Sequence, residues 1–470
     1  MSQPGTSAES TSGSNTASSG DTRRGTELFL LVCSAVIVTF ALMLVEISQE
    51  NTITRQLFIY GAAYLALFGG AHVAVRKWAP YADPLMLPLV ALLNGLGLVM
   101  IHRIDIAKET EYAVRQIAWL TLSLVLFALV LAFIKDHRVL AKYSFTCGFV
   151  GLVLLALPGL LPSAISEVNG AKLWIKFGPL GQVQPSEFAK ILLMIFFASF
   201  LVSKRELFTT AGRKFLNVEL PRPRDLMPML VAWVAAIGIG VLEKDLGTSL
   251  LFFGIVLVML YIATERAIWV VLGLSLFALG AVLAWQTVTR VQSRVNVWLD
   301  PLHHDDGYQL KQALYGLGSG GIGGTGLGNG NPEIVPFSNS DFIITSMGEE
   351  LGLVGLIAIF LMYLLLMMRG LRSALAVRDS FGKLFGGGLS FTVALQLFVV
   401  AGGVTGLIPL TGLTAPFLAY GGSSLLANYI LIAMLLRISD AARRPQTPAK
   451  PKPQQAPIAE AHTELVERPR

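Results

Sequence analysis

Twelve apolar runs, near 28–45, 57–75, 83–101, 116–134, 144–161, 188–203, 227–242, 246–263, 268–285, 351–368, 386–408 and 416–437, leave this chain few ways to fold. A run of about 20 such residues, rising roughly 1.5 Å per residue as a helix, crosses the hydrocarbon core of a bilayer. Lipid offers the backbone no hydrogen bonds, so each run must satisfy its own as a helix. The chain is therefore expected to be an all-α polytopic integral membrane protein of about twelve transmembrane helices. Pro, Gly and charge blur the ends of the seventh and last runs, which leaves ten or eleven spans open. Composition agrees, because 54% hydrophobic against 14% charged residues is more apolar surface than one water-soluble core of ordinary composition buries.

The formal charge of +6 invites a nucleic-acid partner, but the Lys and Arg residues lie in short clusters between the apolar runs, so no nucleic acid is expected. With the N-terminus in the cytoplasm, both tails, Arg76/Lys77, Lys135 to Lys142, Lys204 to Arg224, Arg266 and Arg369 to Lys383 fall on one side, and they hold most of the 36 basic residues. That is the positive-inside bias of short loops. It predicts a multi-pass cell-membrane protein with both termini cytoplasmic and the long 286–350 loop extracytoplasmic. Residues 1–25 are rich in Ser, Thr and Gly and residues 445–470 in Pro, Gln and charge, so both read as disordered cytoplasmic tails. Cys33 and Cys147 sit inside apolar runs and supply no disulfide framework.

Loops as long as 286–350 are usually functional or disordered, and this one combines carboxylates, histidines, basic residues, aromatics and glycines. Asp300, Asp305 and Asp306 are either turn formers before Gly307 or acid–base groups. Gly316, Gly318 and Gly321 match G-x-G-x-x-G by spacing but lack the preceding strand and acidic residue of a nucleotide-binding unit, and the chain has no phosphate loop. Backbone flexibility or close approach to a ligand explains these glycines better. His303 and His304 read as a solvated pair rather than metal ligands. A second loop carries Lys172 and Trp174 and leads into Pro185, where a helix would set Glu187 and Lys190 on one face as an ion pair. Such a pair either faces the bundle interior or snorkels to the headgroups. Glu243, Lys244 and Asp245 form either a plain turn or a helix break lining a polar cavity.

Several separated blocks share one further property. Asn169-Gly-Ala with Trp174-Ile, QPSEFAK at 184–190, DLGTSL at 245–250, DFI with GEELGLVG within 341–355, and IPLTGLTAPFLAYGGSSLLANY at 408–429 occur in an order and spacing that resembles the SEDS family of shape, elongation, division and sporulation proteins, RodA and FtsW among them. The resemblance covers about residues 85–440 and is nearer the elongation branch than the division branch. It implies a ten-helix core, placed here at 81–444, with two helices added in front at 26–80. It implies a peptidoglycan glycosyltransferase that polymerises lipid II outside the membrane, releases undecaprenyl diphosphate and works with a class B penicillin-binding protein, the transpeptidase. Three departures stand out: Glu243-Lys244-Asp245 replaces the common Gln-Pro-Asp, Asn339-Ser340 replaces His-Thr, and the long loop is about two residues short between Pro301 and Gly307.

That resemblance implies an inverting displacement, because the donor sugar is α-linked to diphosphate and the product is β-linked. One carboxylate base, worth roughly 10²- to 10⁴-fold, takes the proton of the acceptor hydroxyl. A second carboxylic acid is dispensable where the leaving group is already a diphosphate. Cations or a divalent metal, Mg²⁺ or Mn²⁺, would stabilise that group; no metal ligands are assigned. The shortened loop lets the family's essential aspartate fall on Asp305 or Asp306, with Asp300 third. Lys172, Trp174, Arg294 and Lys311 are the candidates for substrate contact. Glu187, Lys190, Asp245, Asp341, Glu349 and Glu350 match family positions that shape the cavity or hold the loop. Two readings from other classes compete: a lipid II flippase, and a non-catalytic scaffold for the transpeptidase.

Overall fold

The computed structural model describes residues 22–50, 55–168, 170–178, 181–204, 213–215, 218–220 and 223–445. Most of both expected tails, and Asn169 of the first resemblance block, lie outside these residues. The apolar runs become α1 (Arg24–Ser48), α2 (Arg55–Trp78), α3 (Met86–Lys108), α4 (Tyr112–Phe133), α5 (Ser144–Leu160), α6 (Pro185–Ser203), α7 (Pro223–Leu242), α8 (Leu246–Thr264) and α9 (Ile268–Thr287). After the long loop come α12 (Ile343–Ala376), α13 (Ser380–Val404) and α14 (Gly422–Arg443), with α10 (Thr289–Leu299) and α11 (Tyr308–Gly320) inside that loop. Among the described residues ten helices are long and apolar enough to cross a membrane, while α5 and the apolar part of α7, Met227–Leu242, are shorter. Together they account for the twelve runs. The main differences are at the end of the chain, where the stretch from 405 to 421 is irregular and the last span begins at Gly422 rather than near 416.

Neighbours along the chain do most of the packing, α5 with α6, α12 with α13, and α1 with both α2 and α3, while α14 returns to α4. Helix α9 has one buried residue, Gly273, so its apolar surface is left to lipid. Three short hairpins decorate the connections: β1 (Glu167–Val168) with β2 (Ala171–Lys172), β3 (Ile175–Lys176) with β4 (Gln182–Val183), and β5 (Arg213–Phe215) with β6 (Val218–Leu220).

Charged groups inside the bundle are ion-paired or hydrogen-bonded, as a low-dielectric interior requires. On the face opposite the long loop, Glu27 of α1 is fully buried between Arg24 and His72, whose Nδ1 lies 2.8 Å from its Oε1. Arg24 also donates to the carbonyls of Pro80 and Ala82, and buried Asp83 pairs with Arg443 and with Arg369 at 3.7 Å. These bonds tie the added N-terminal helices to the connection before α3 and to the ends of α12 and α14.

The long loop is structured. Its Gly-rich stretch meets the start of α12, where Gly352 breaks the helix with φ 68° and ψ −172°. The N–H groups freed at that kink, Leu353 and Val354, donate to the carbonyls of Gly321 and Ile322 at 3.0 and 3.2 Å. In return Thr325 and Gly326 donate to the carbonyls of Glu349 and Glu350 at 2.9 and 3.0 Å. Of the three glycines whose spacing suggests flexibility or a ligand, Gly321 thus meets another piece of backbone, and Gly318 faces open space. A Cβ on Gly324 would run into the Glu350 carbonyl, and one on Gly352 into the backbone of 322–324. Gly352→Ala meets both that clash and an unfavourable positive φ, a combination that costs about 1–3 kcal/mol. It should lower the midpoint of thermal unfolding of the detergent-purified protein; an unchanged midpoint would contradict the seam.

Candidate functional site

Proline at the first position of α6 needs no hydrogen-bond partner there and starts the helix, which places Glu187 and Lys190 one turn apart. Lys190 Nζ lies 2.7 Å from Glu187 Oε2 and 3.1 Å from Oε1 of Gln396 on α13, and the two charged residues are 2% and 7% exposed. The pair therefore sits inside the bundle. Gln396 in turn donates to the Thr414 carbonyl at 2.9 Å, so the irregular 405–421 stretch is held against α13. Gln396 escaped the sequence reading, although an amide in the apolar run FTVALQLFVV is a signal that an intramembrane polar group has a partner.

Between α7 and α8 the chain turns sharply, with Lys244 at φ 66° and Asp245 capping α8. The Asp245 carboxylate accepts from Thr248 N at 2.9 Å and from its hydroxyl at 2.6 Å. This answers the alternative left open by Glu243-Lys244-Asp245: the segment is a capped break between two helices, with Glu243 and Asp245 buried. Glu243 accepts from Gly159 N at 2.8 Å; burial raises its pKa to about 7, against the pull of that hydrogen bond.

The long loop reaches the same region through α10. Arg294 Nη1 donates to the Thr411 carbonyl at 3.2 Å, and Trp298 Nε1 donates to the Gly406 carbonyl at 2.7 Å. Both anchor α10 on the irregular stretch. The Asp245 and Asp341 carboxylates act on Arg294, and Glu187 repels Asp245, so Lys190, Glu187, Asp245, Arg294 and Asp341 form one charge file in which two neighbouring carboxylates are flanked by the cations Lys190 and Arg294. Burial lowers the Arg294 pKa, and nearby Arg290 adds to that. Burial raises Asp341 to about 6, with Arg294 opposing.

The other candidates are more dispersed. Asp305 and Asp306 lie in a 3₁₀ turn, Asp305–Gly307, and both are exposed; Asp306 accepts from Ser293 Oγ of α10 at 2.9 Å and its N–H donates to His304 Nδ1 at 3.2 Å. Asp300 accepts from His303 at 2.9 Å, a hydrogen bond that holds its pKa below the usual carboxylate value. Lys311 lies over the Tyr315 ring on α11, 6.0 Å from its centroid. Lys172 donates to the Leu161 carbonyl at 3.2 Å and lines a separate cavity of about 520 Å³ with Glu167, Glu243 and Lys244. Trp174 is half-buried between β2 and β3. Arg294 and Lys311 do not line the Lys172 cavity, so the expected cationic contacts are not gathered in one place. Glu349 and Glu350 hold the Gly-rich stretch, accepting from Asn331 N at 2.7 Å and Gly328 N at 2.9 Å. Among the described residues no three His, Cys, Asp or Glu side chains converge as a metal site.

Three comparisons bear on this arrangement. The family model for FtsW, RodA and SpoVE, described as "Cell cycle protein", matches residues 83–444. A Mycobacterium bovis protein named peptidoglycan glycosyltransferase RodA is 55% identical over 455 residues, 95% of this chain and 96% of its own. The Bacillus subtilis stage V sporulation protein E is 33% identical over 387 residues, 79% of this chain and 100% of its own. A solved structure described as "Structural coordination of polymerization and crosslinking by a peptidoglycan synthase complex" superposes with a TM-score of 0.63 at 27% identity, covering 77% of this chain and 99% of its own.

Two measurements test the charge file. Lys190→Met leaves the Glu187 carboxylate buried without its partner and should cost about 3–5 kcal/mol, most of it regained in Glu187→Gln/Lys190→Met; equal midpoints for the single and double variants would refute the coupling. Because the folded pKa of Asp341, about 6, lies above the ordinary 3.8, the folded state holds the extra proton between these values and its stability falls as pH rises through that window. Asp341→Asn should flatten this slope in unfolding experiments; an unaltered slope assigns it to another group.

Proposed function

The chain belongs to the FtsW, RodA and SpoVE family of cell cycle proteins, and from that premise we propose a peptidoglycan glycosyltransferase that polymerises lipid II for cell elongation and shape. The observation that carries the reading is identity of 55% through 95% of the chain, added helices included, with relatives named peptidoglycan glycosyltransferase RodA. The protein sits in the bacterial cell membrane with the face bearing 286–350 outward and both termini in the cytoplasm; the distribution of basic loops supports this orientation.

In this reading the acceptor's 4-hydroxyl gives its proton to the loop carboxylate of Asp305, or of Asp306 beside it. The hydroxyl oxygen forms a bond to the donor's anomeric carbon while the bond to diphosphate breaks, its electron pair leaving with undecaprenyl diphosphate. The anomeric centre inverts. Exposure of both aspartates leaves them open to a lipid-anchored substrate arriving from the membrane surface. Arg294, fixed by Thr411 and facing two carboxylates, serves as the pre-positioned cation nearest that loop helix. Lys311, Lys172 and Trp174 line outer parts of the substrate's path. Glu187, Lys190, Asp245 and Asp341 hold the cleft, and Glu349 and Glu350 hold the loop. Mg²⁺ or Mn²⁺ enters only as a companion of the diphosphate, since Mg²⁺ is ordinarily held by one or two carboxylates together with phosphate oxygens. The partner is a class B penicillin-binding protein that crosslinks the new strand; the resemblance to a structure described as a peptidoglycan synthase complex supports this.

Purified protein in detergent, given lipid II, separates the candidates. Asp305→Ala or Asp306→Ala should lower polymerisation by about 10²- to 10⁴-fold, the usual worth of a general base. Full polymerisation by the double variant would move the base to another residue; no polymerisation by the wild type would overturn the polymerase reading, in favour of a flippase where lipid II moves in sealed vesicles and of a scaffold where it does not.

A further inference from the structure

The segment 328–331, where the Gly-rich stretch leaves the seam with α12, is held by side chains from three helices. Gln49, at the end of α1, donates from Nε2 to the Gly328 carbonyl at 2.6 Å, and Ser48 Oγ donates to Asn329 Oδ1 at 3.1 Å. Arg103 of α3, 3% exposed, donates from Nη2 to the Gly330 carbonyl at 2.7 Å, with its Nε 3.1 Å from Glu350 Oε1 and its Nη2 3.6 Å from Glu333 Oε2. Glu350 and Glu349 of α12 take the N–H groups of Gly328 and Asn331. Next to Arg103 on α3, His102 Nε2 lies 2.9 Å from Glu46 Oε1, which clasps α3 to α1 beside the same segment. Gly328 has φ 86° and packs against Ser48 and Val45.

Two of these groups come from different layers of the protein. Arg103 and Glu350 lie within residues 83–444, matched by the family model, while Glu46, Ser48 and Gln49 lie before it. The Bacillus subtilis relative is matched over its whole length by 79% of this chain, whereas the mycobacterial relatives are matched over 95% of it. The added helix therefore reaches across to the catalytic loop of the common core. That loop is short in mechanical terms. Helix α11, 13 residues or about 20 Å long, runs without a break from the Asp305–Gly307 turn to the Gly-rich stretch, and it packs along α12. The 328–331 clamp continues the bonds that Gly321 to Gly326 make with α12, so it adds to what fixes the far end of α11 and thereby limits where the aspartate end can go.

We propose that Gln49 and Arg103 are positioning residues for glycosyl transfer: together they clamp the 328–331 backbone from α1 and α3, and through α11 they set the placement of the Asp305–Asp306 turn. The added helix α1 is thereby a working part of the polymerase. The inference rests on the polymerase reading above. Its test uses the full-length protein in detergent with lipid II, with kcat and KM resolved separately and unfolding midpoints recorded. Gln49→Ala should lower kcat about tenfold, roughly one hydrogen bond's worth of placement, with KM nearly unchanged. Gln49→Lys, which keeps a donor of similar reach, should restore most of the rate. Arg103→Lys should lower kcat further than Gln49→Ala, because a lysine cannot reproduce the guanidinium's fork to Gly330, Glu350 and Glu333. Phe40→Ala, on the exposed face of α1, should leave both parameters alone.

Wild-type kcat in Gln49→Ala would overturn the inference, as would a loss that merely follows a lowered unfolding midpoint or that Gln49→Lys fails to relieve. Should Arg103 variants fail to fold, the Gln49 pair alone decides the matter, since its side chain is only half-buried. A wild type that makes no polymer removes the polymerase reading itself, whereas an active wild type with an indifferent Gln49→Ala removes only the positioning role.

Discussion

A backbone hydrogen bond left open in lipid has no water to turn to, and this fold is shaped where its helices break. At Gly352 the freed N–H groups of α12 are taken by Gly321 and Ile322, and carbonyls on the other side of the kink take N–H groups from Thr325 and Gly326. At Lys244–Asp245 the break is closed by an aspartate cap. The irregular stretch after α13 is closed by Gln396, Arg294 and Trp298 acting on its carbonyls. Each closure recruits a side chain or loop from elsewhere, so the breaks become the points where distant parts of the chain meet.

The charge file grows out of the same constraint. Lys190, Glu187, Asp245 and Arg294 are costly to bury singly and tolerable together, because Lys190 and Arg294 flank the like-charged Glu187 and Asp245. Their arrangement places a cation on α10, the helix that also carries Ser293, the partner of Asp306. The loop aspartates are thus connected to the bundle through one amphipathic helix, lightly enough to remain exposed and firmly enough to have an address.

Much of this was legible in the residues. The apolar runs locate the helices to within a few positions because lipid makes length and hydropathy nearly sufficient, and Glu187 and Lys190 announced their pairing by spacing on a helix begun by Pro185. Of the glycines read as flexible or close to a ligand, Gly321 instead meets backbone, since nothing local shows that the chain around Gly352 will lie against it. Gln49 and Arg103 were passed over for a related reason: each sits at the end of an apolar run, where polar residues are ordinary, and only the fold shows that their targets are carbonyls of one loop. Lys172 and Lys311 illustrate the converse, because matching charge in neighbouring loops said nothing about whether the loops converge.

The seam at Gly324 and Gly352 uses atoms that every residue possesses, so what it demands of the sequence is emptiness. Polar substitutions that would disturb an ordinary binding loop are harmless to it as chemistry and excluded as volume. A methyl group is too much. The side chains along the seam are therefore free to vary in character while these two positions must carry none, and its most restrictive contact is recorded only by what is missing.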